Sequence, residues 1–246
     1  MSQHSTKRPP RRPPILITQT EPKSAASEAY RMLRTNIQFA GLDEAPRNIV
    51  FTSAAPGEGK TTSVANFGVV AAEACSRVCL LDSDLRRPTL HKLFGLQNSS
   101  GLSTALLHGL PLAKLAQKTA TAGLSVLTSG PLPPNPAELV GSKRMRELFE
   151  SAANDFDLVL CDSPPVMSVT DGIALAAQCD GVVLVIRAGA IAHEAIRRTA
   201  EQIEAVKSRI LGVVLNNVDL RRDGYFYKYY RYYRAYQGYY SENGKK

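Results

Sequence analysis

The stretch SAAPGEGKTT, residues 53–62 of the 246-residue chain, concentrates residue types that handle phosphate. A turn of small residues and glycines lets successive backbone N–H groups surround a phosphate, and a helix starting at its end adds partial positive charge. Ala55, Pro56, Gly57, Glu58, Gly59, Lys60, Thr61 and Thr62 are the candidate nucleotide-binding residues. In such a loop the lysine, here Lys60, reaches the β- and γ-phosphates, and the hydroxyl of the next residue, Thr61, ligates Mg²⁺. The spacing follows G-x-x-x-x-G-K-[ST], except that Ala54 stands at the first glycine. The plain alternative is a glycine turn that binds nothing. The position of the loop, after an apolar strand-like run and before a long helical pattern, argues against that alternative.

A phosphate loop needs carboxylates to hold the metal and polarise the attacking group. Two apolar runs end in them: LVLCDSPP at 158–165 carries Asp162, and CLLDSDLR at 79–86 carries Asp82, Asp84 and Arg86. In a parallel sheet, ligands bind at the carboxyl ends of the strands, so these acids and the phosphate loop would gather on one edge. The candidate catalytic residues are therefore Lys60, Asp82, Asp84 and Asp162, and the candidate metal ligands are Thr61, Asp82, Asp84 and Asp162. One acid there would pass as a turn residue. Three at two strand ends point to a nucleotide enzyme that uses Mg²⁺.

The elements that must position these residues are legible as a regular alternation. Apolar runs at 48–53, 77–82, 124–129, 157–162, 181–187 and 210–215 alternate with helical patterns at 60–75, 89–108, 136–153, 171–178 and 192–207. This predicts parallel βαβ units, and the near-continuous apolar strands predict burial on both faces. The fold class is α/β, a parallel β-sheet flanked by helices on both faces. ILIT at 15–18 reads as a short extended segment, and GPLPPNPAEL at 130–139 as a rigid loop feeding a helix near Pro136. Residues 24–40 read as a helix capped by Ser24 or Ser27, with Tyr30, Leu33 and Ile37 on its apolar side. Glu28, Arg31 and Arg34 form a charged stripe beside that side, suited to an internal Glu–Arg pair or to a partner subunit.

Composition bounds the rest. A hydrophobic fraction of 44% fits a globular domain. No apolar run approaches the roughly 18 residues of a membrane-spanning helix, and the basic start MSQHSTKRPPRRPP has no apolar stretch behind it, so no secretory signal is expected. Cys75, Cys79, Cys161 and Cys179 form no C-x-x-C pair and read as reduced thiols of a cytosolic protein. The net charge of +8 lies largely at the two ends, where it favours acidic partners or is simply solvated. Residues 1–14 read as disordered, 15–220 as one domain, and 221–246 as a flexible tail. The tail holds Tyr225, Tyr227, Tyr229, Tyr230, Tyr232, Tyr233, Tyr236, Tyr239 and Tyr240. Interleaved Tyr, Arg and Lys could also stack on single-stranded nucleic acid.

Taken together, the loop at 53–62, CLLDSDLRRP at 79–88, VLCDSPPV at 159–166, TSGPLPPNPAELV at 128–140, the helix EAYRMLR at 28–34 and the tyrosine cluster resemble the bacterial tyrosine kinases of capsule and exopolysaccharide synthesis. The resemblance runs from about residue 15 onward. It implies the P-loop fold of partition and cell-division ATPases and an ATP-dependent kinase that autophosphorylates its tail tyrosines. It implies that Asp82 takes the tyrosine proton or helps hold the metal, that Asp84 and Asp162 order Mg²⁺ and its waters, and that Asn216 reads the adenine. Glu28, Arg31 and Arg34 match the E-x-x-R-x-x-R helix that drives ring-like homo-oligomers, in which one subunit's tail enters the next subunit's site. Many members carry the kinase behind a transmembrane part. This chain resembles the stand-alone type, which implies a separate transmembrane activator, a cognate tyrosine phosphatase, and a cytoplasmic place at the inner face of the plasma membrane; no nucleic-acid partner is expected.

The tail fits a kinase chemically. Tyrosine has a pKa near 10, a carboxylate beside the metal can accept its proton during transfer, and a tethered acceptor is present at high effective concentration. Two rivals remain. A partition-type switch ATPase would carry an extra lysine early in the loop, where Ala55 stands. A nucleotide-dependent scaffold with a dead site would not need Lys60, Asp82, Asp84 and Asp162 intact.

Overall fold

The computed structural model describes residues 16–40, 45–75 and 77–219. In chain order the elements are α1 (Ile17–Thr20), α2 (Ala25–Ala40), β1 (Asn48–Thr52), α3 (Lys60–Ala72), β2 (Val78–Asp82), α4 (Leu90–Phe94), α5 (Leu102–His108), α6 (Leu112–Leu115) and β3 (Gln117–Lys118). There follow β4 (Leu124–Leu127), α7 (Pro136–Val140), α8 (Lys143–Ala152), β5 (Leu158–Asp162), α9 (Asp171–Ala176), β6 (Gly181–Arg187), α10 (His193–Ala205) and β7 (Ile210–Asn216).

One seven-stranded sheet has the order β3-β4-β2-β5-β1-β6-β7, with β1 between β5 and β6. Every pairing is parallel except β3 with β4. The predicted alternation is borne out, with this antiparallel edge added. Gln117–Lys118 has no apolar pattern that could announce a strand.

Alternate residues of each central strand enter two separate cores, as a side-chain period of two requires. Val50, Cys79, Leu81, Val159 and Cys161 join one, with residues of α5 to α10. Ile49, Phe51, Leu80 and Leu160 join the other, with residues of α2, α3 and α4. Strands covered on both faces explain the near-continuous apolar runs. All four cysteines are free thiols, with Cys79 and Cys161 buried.

Three segments differ from the sequence-based expectation. Of the segment 15–18, Ile15 lies outside the described residues and Leu16 is extended, but Ile17 and Thr18 open helix α1; Thr18 is buried, and its N–H and hydroxyl both donate to Asn66 Oδ1 on α3. The pattern at 89–108 is two helices, α4 and α5, parted after Gly95 at φ 66°. The pattern at 136–153 is likewise α7 and α8, broken at Gly141 and restarted by Ser142, whose hydroxyl accepts the Met145 N–H. In α2, Ser24 rather than Ser27 is the cap, accepting the Ser27 N–H at 3.2 Å.

Candidate active site

The phosphate loop joins β1 to α3 at the centre of the sheet. Gly57 (φ 81°) and Gly59 (φ 94°) take left-handed backbone, which a side chain would strain. A Cβ on Gly59 would also lie 2.0 Å from Asn216 Nδ2. Asn216 donates to the Glu58 carbonyl at 2.8 Å, so the end of β7 props the loop from below. The Glu58 side chain is buried and serves the loop itself: it accepts the Ala55 N–H and, at 3.2 Å, the Arg187 N–H from β6.

The loop after β5 is laced to the phosphate loop. Val166 and Met167 N–H groups donate to the Ser53 and Ala54 carbonyls, and Thr52 Oγ1 donates to the Pro164 carbonyl at 3.1 Å. Lys60 opens α3 and is buried; Thr61 follows, and its hydroxyl donates to Asp162 Oδ2 at 2.5 Å.

Asp82 and Asp162 are register partners at the ends of β2 and β5. Asp82 Oδ2 accepts the N–H groups of Thr89 and Leu90, closing the loop after β2 on itself. Asp84 Oδ1 accepts the N–H groups of Arg86 and Arg87. Burial, then the charge of Asp162, lifts the Asp82 carboxyl well above the ordinary range. Burial also raises Asp162, opposed by the Thr61 hydrogen bond and the Lys60 charge.

Asp82 Oδ1 and Asp162 Oδ1 are buried without a hydrogen-bond partner. Buried orphan oxygens are rare and call for a ligand. Hard carboxylate and hydroxyl oxygens suit Mg²⁺, which takes one or two carboxylates and completes its shell with phosphate and water. That partial donor set is what the site offers. Among the described residues no group of three or more His, Cys, Asp or Glu side chains could hold a metal by itself.

The structure therefore brings Lys60, Thr61, Asp82, Asp162 and Asn216 to one edge, with Asp84 on the adjoining loop. Thr89 escaped sequence reasoning: its hydroxyl donates to Thr61 Oγ1 at 3.3 Å while its N–H holds Asp82. Asp171, the first residue of α9, also escaped sequence reasoning; it is fully buried and paired with Arg86. Away from the site, Arg31 is engaged within its own chain by Glu28 and Glu73, and Arg34 donates to the Val70 carbonyl. The nine tail tyrosines lie outside the described residues.

Residues 46–217 match an AAA domain family. The chain is 43% identical over 214 residues to the tyrosine-protein kinase YwqD of Bacillus subtilis, covering 87% of this chain and 90% of YwqD. The chain belongs to the bacterial tyrosine-protein kinases. Among solved members, the kinase domain of Escherichia coli tyrosine kinase ETK superposes with a TM-score of 0.78 at 33% identity, covering 87% of this chain and 85% of that domain. The match to the full E. coli etk spans 28% of its length. The cell division ATPase MinD of Pyrococcus furiosus, at 23% identity and a TM-score of 0.61 over 72% of this chain and 74% of MinD, shares the fold alone. The predicted P-loop fold and the tyrosine kinase family are both borne out. No described helix is long and apolar enough to cross a membrane.

Proposed function

We propose that this kinase transfers the γ-phosphoryl group of ATP to the tyrosines of its own C-terminal segment, each chain acting on its neighbour within a homo-oligomer. The observation that carries the reading is the pair of in-register acids with unpartnered oxygens, Asp82 and Asp162, beside Thr61.

The backbone N–H groups of 57–60 and the α3 N-terminus bind the nucleotide phosphates, and Lys60 neutralises the β- and γ-phosphates. Thr61 and Asp162 would hold Mg²⁺, with Asp82 and Asp84 nearby. When bound, the ion offsets charge on the phosphates. The tyrosine oxygen forms its bond to the γ-phosphorus as the bond to the β-bridging oxygen breaks, and ADP leaves. The tyrosine proton passes to the Asp82 carboxylate. Asp82 is the carboxylate proposed for this role because it stands in register with Asp162, beside Thr61.

Asn216 is proposed to face the adenine, and Glu28, Arg31 and Arg34 to meet the neighbouring subunit. A transmembrane partner, a cognate phosphatase and control of polysaccharide export complete the proposal, which places the chain at the inner membrane face. Each phosphate adds roughly −1.5 to −2 charges to a basic segment, enough to loosen the assembly. Ala55, where a partition ATPase carries lysine, disfavours the switch-ATPase reading.

A mixing experiment tests transfer between chains. Full-length Lys60→Met is incubated with an active chain truncated after Asp223, ATP and Mg²⁺. Phosphotyrosine on the full-length chain is expected. Its absence, where wild-type protein phosphorylates itself, contradicts transfer in trans.

A further inference from the structure

The three acids of the site stand at the ends of β2 and β5 and on the loop after β2, and one ion pair joins the segments that follow the two strands. Arg86 Nε donates to Asp171 Oδ2 at 2.9 Å, and Arg86 Nη2 donates to Asp171 Oδ1 at 3.0 Å. Asp171 is fully buried, whereas the Arg86 side chain is 41% exposed. A planar guanidinium that grips both oxygens of a carboxylate fixes orientation as well as distance.

Each end of this pair is tied to an acid. The Arg86 N–H donates to Asp84 Oδ1, so the backbone of Arg86 is fastened to Asp84 while its side chain is fastened to Asp171. Asp171 opens α9. At the next residue, Gly172, a Cβ would lie 2.9 Å from the Pro164 carbonyl, so the start of α9 is pressed against the segment that leaves Asp162. Among the described residues the other ion pairs lie within single helices, between α2 and α3, or at the opposite edge of the sheet, where Arg77 meets Asp157.

We propose that Arg86 and Asp171 are positioning residues: their pair clamps the Asp84 loop to the Asp162 loop, so that the carboxylates stand ready before Mg²⁺ arrives. The clamp rests on the Mg²⁺-nucleotide reading of the site. Asp82 and Asp162 are fixed by the pairing of β2 with β5, so the clamp serves the acid that stands on a loop, Asp84. Neither residue touches the reacting atoms in this role.

The test uses the full chain carrying Arg86→Met with Asp171→Leu, which removes both charges and leaves no carboxylate buried alone. Arg86→Lys, which keeps the charge but loses the fork, is the milder companion. Mg²⁺ is titrated against binding of a fluorescent ATP analogue, and hydrogen exchange of amides 84–89 is followed without metal. Loss of a partner that orients a metal ligand costs about 10- to 100-fold in metal affinity. A rise of about tenfold in the Mg²⁺ needed for half-saturation is expected in the double variant, and a smaller rise in Arg86→Lys. Amides 84–89 should exchange faster in both. An unchanged Mg²⁺ requirement in either folded variant overturns the clamp. Nucleotide binding by the wild type that ignores Mg²⁺ overturns the reading beneath it as well.

Discussion

Asp82 and Asp162 sit side by side at the ends of neighbouring parallel strands, each with one carboxylate oxygen buried and unpartnered. Two like charges held this close and this dry are a cost of folding that binding of a cation relieves. The site is therefore strained in the direction of its ligand.

That strain has a sign that can be measured. A carboxyl whose folded pKa is raised binds more protons folded than unfolded, so its contribution to stability falls as pH rises. For Asp162 the fall runs from the ordinary 3.8 to about 7 and is complete above it. Asp162→Asn should therefore raise the metal-free melting temperature at pH 8 by roughly 2–8 °C, about 1–2 kcal/mol, while kinase activity is lost. Near pH 5 the gain should shrink. A calorimetric series with and without the substitution checks it; a lower melting temperature at pH 8 would count against the account.

The acids and the phosphate loop were legible because each is a local signal at the end of an apolar strand. The sheet was legible for a similar reason: runs such as CLLD and LVLCD are apolar on both faces. The missed features depend on distant partners. Glu58 and Arg187 are 129 residues apart and Arg86 and Asp171 are 85 apart, and nothing in either local sequence announces the pairing. Helix α1 was missed because its four residues, ITQT, are too few to show a helical period; the contact of Thr18 with Asn66 decides. The split of α4 from α5 was written in Gly95, Ser99, Ser100 and Gly101, turn residues inside an otherwise helical stretch.

Gly59→Ala tests the backbone of the loop. The new methyl would meet Asn216 Nδ2 at 2.0 Å and would be strained at φ 94°. Left-handed backbone costs a residue with a side chain about 1–2 kcal/mol. ATP binding measured by titration calorimetry should weaken by more than about tenfold. Adding Asn216→Ala should relieve the clash but also remove the prop under the loop and the proposed adenine contact, so ATP binding should stay weak.

Glu58 should behave as a brace and not as a ligand. Glu58→Ala removes the acceptor of the Ala55 and Arg187 N–H groups, at a cost of about 1–3 kcal/mol. The melting temperature should fall and KM for ATP should rise. Glu58→Gln keeps one carbonyl acceptor and should lie between. A melting temperature unmoved by Glu58→Ala would contradict the brace.

Arg31 separates folding from assembly. Its pairs with Glu28 and Glu73 are partly exposed and should contribute only about 0.2–1 kcal/mol. Arg31→Ala should thus leave the melting temperature of the subunit nearly unchanged. If the stripe meets a neighbouring subunit, the same variant should shift the mass seen by light scattering toward the monomer. An unchanged mass would remove Arg31 from the interface.

The most direct test of the central claim is mass spectrometry of purified protein after incubation with ATP and Mg²⁺, beside Lys60→Met. Phosphotyrosine among Tyr225–Tyr240 in the wild type and none in Lys60→Met is the expected result. ATP turnover without any phosphotyrosine, in the presence of the proposed membrane partner, would contradict the account.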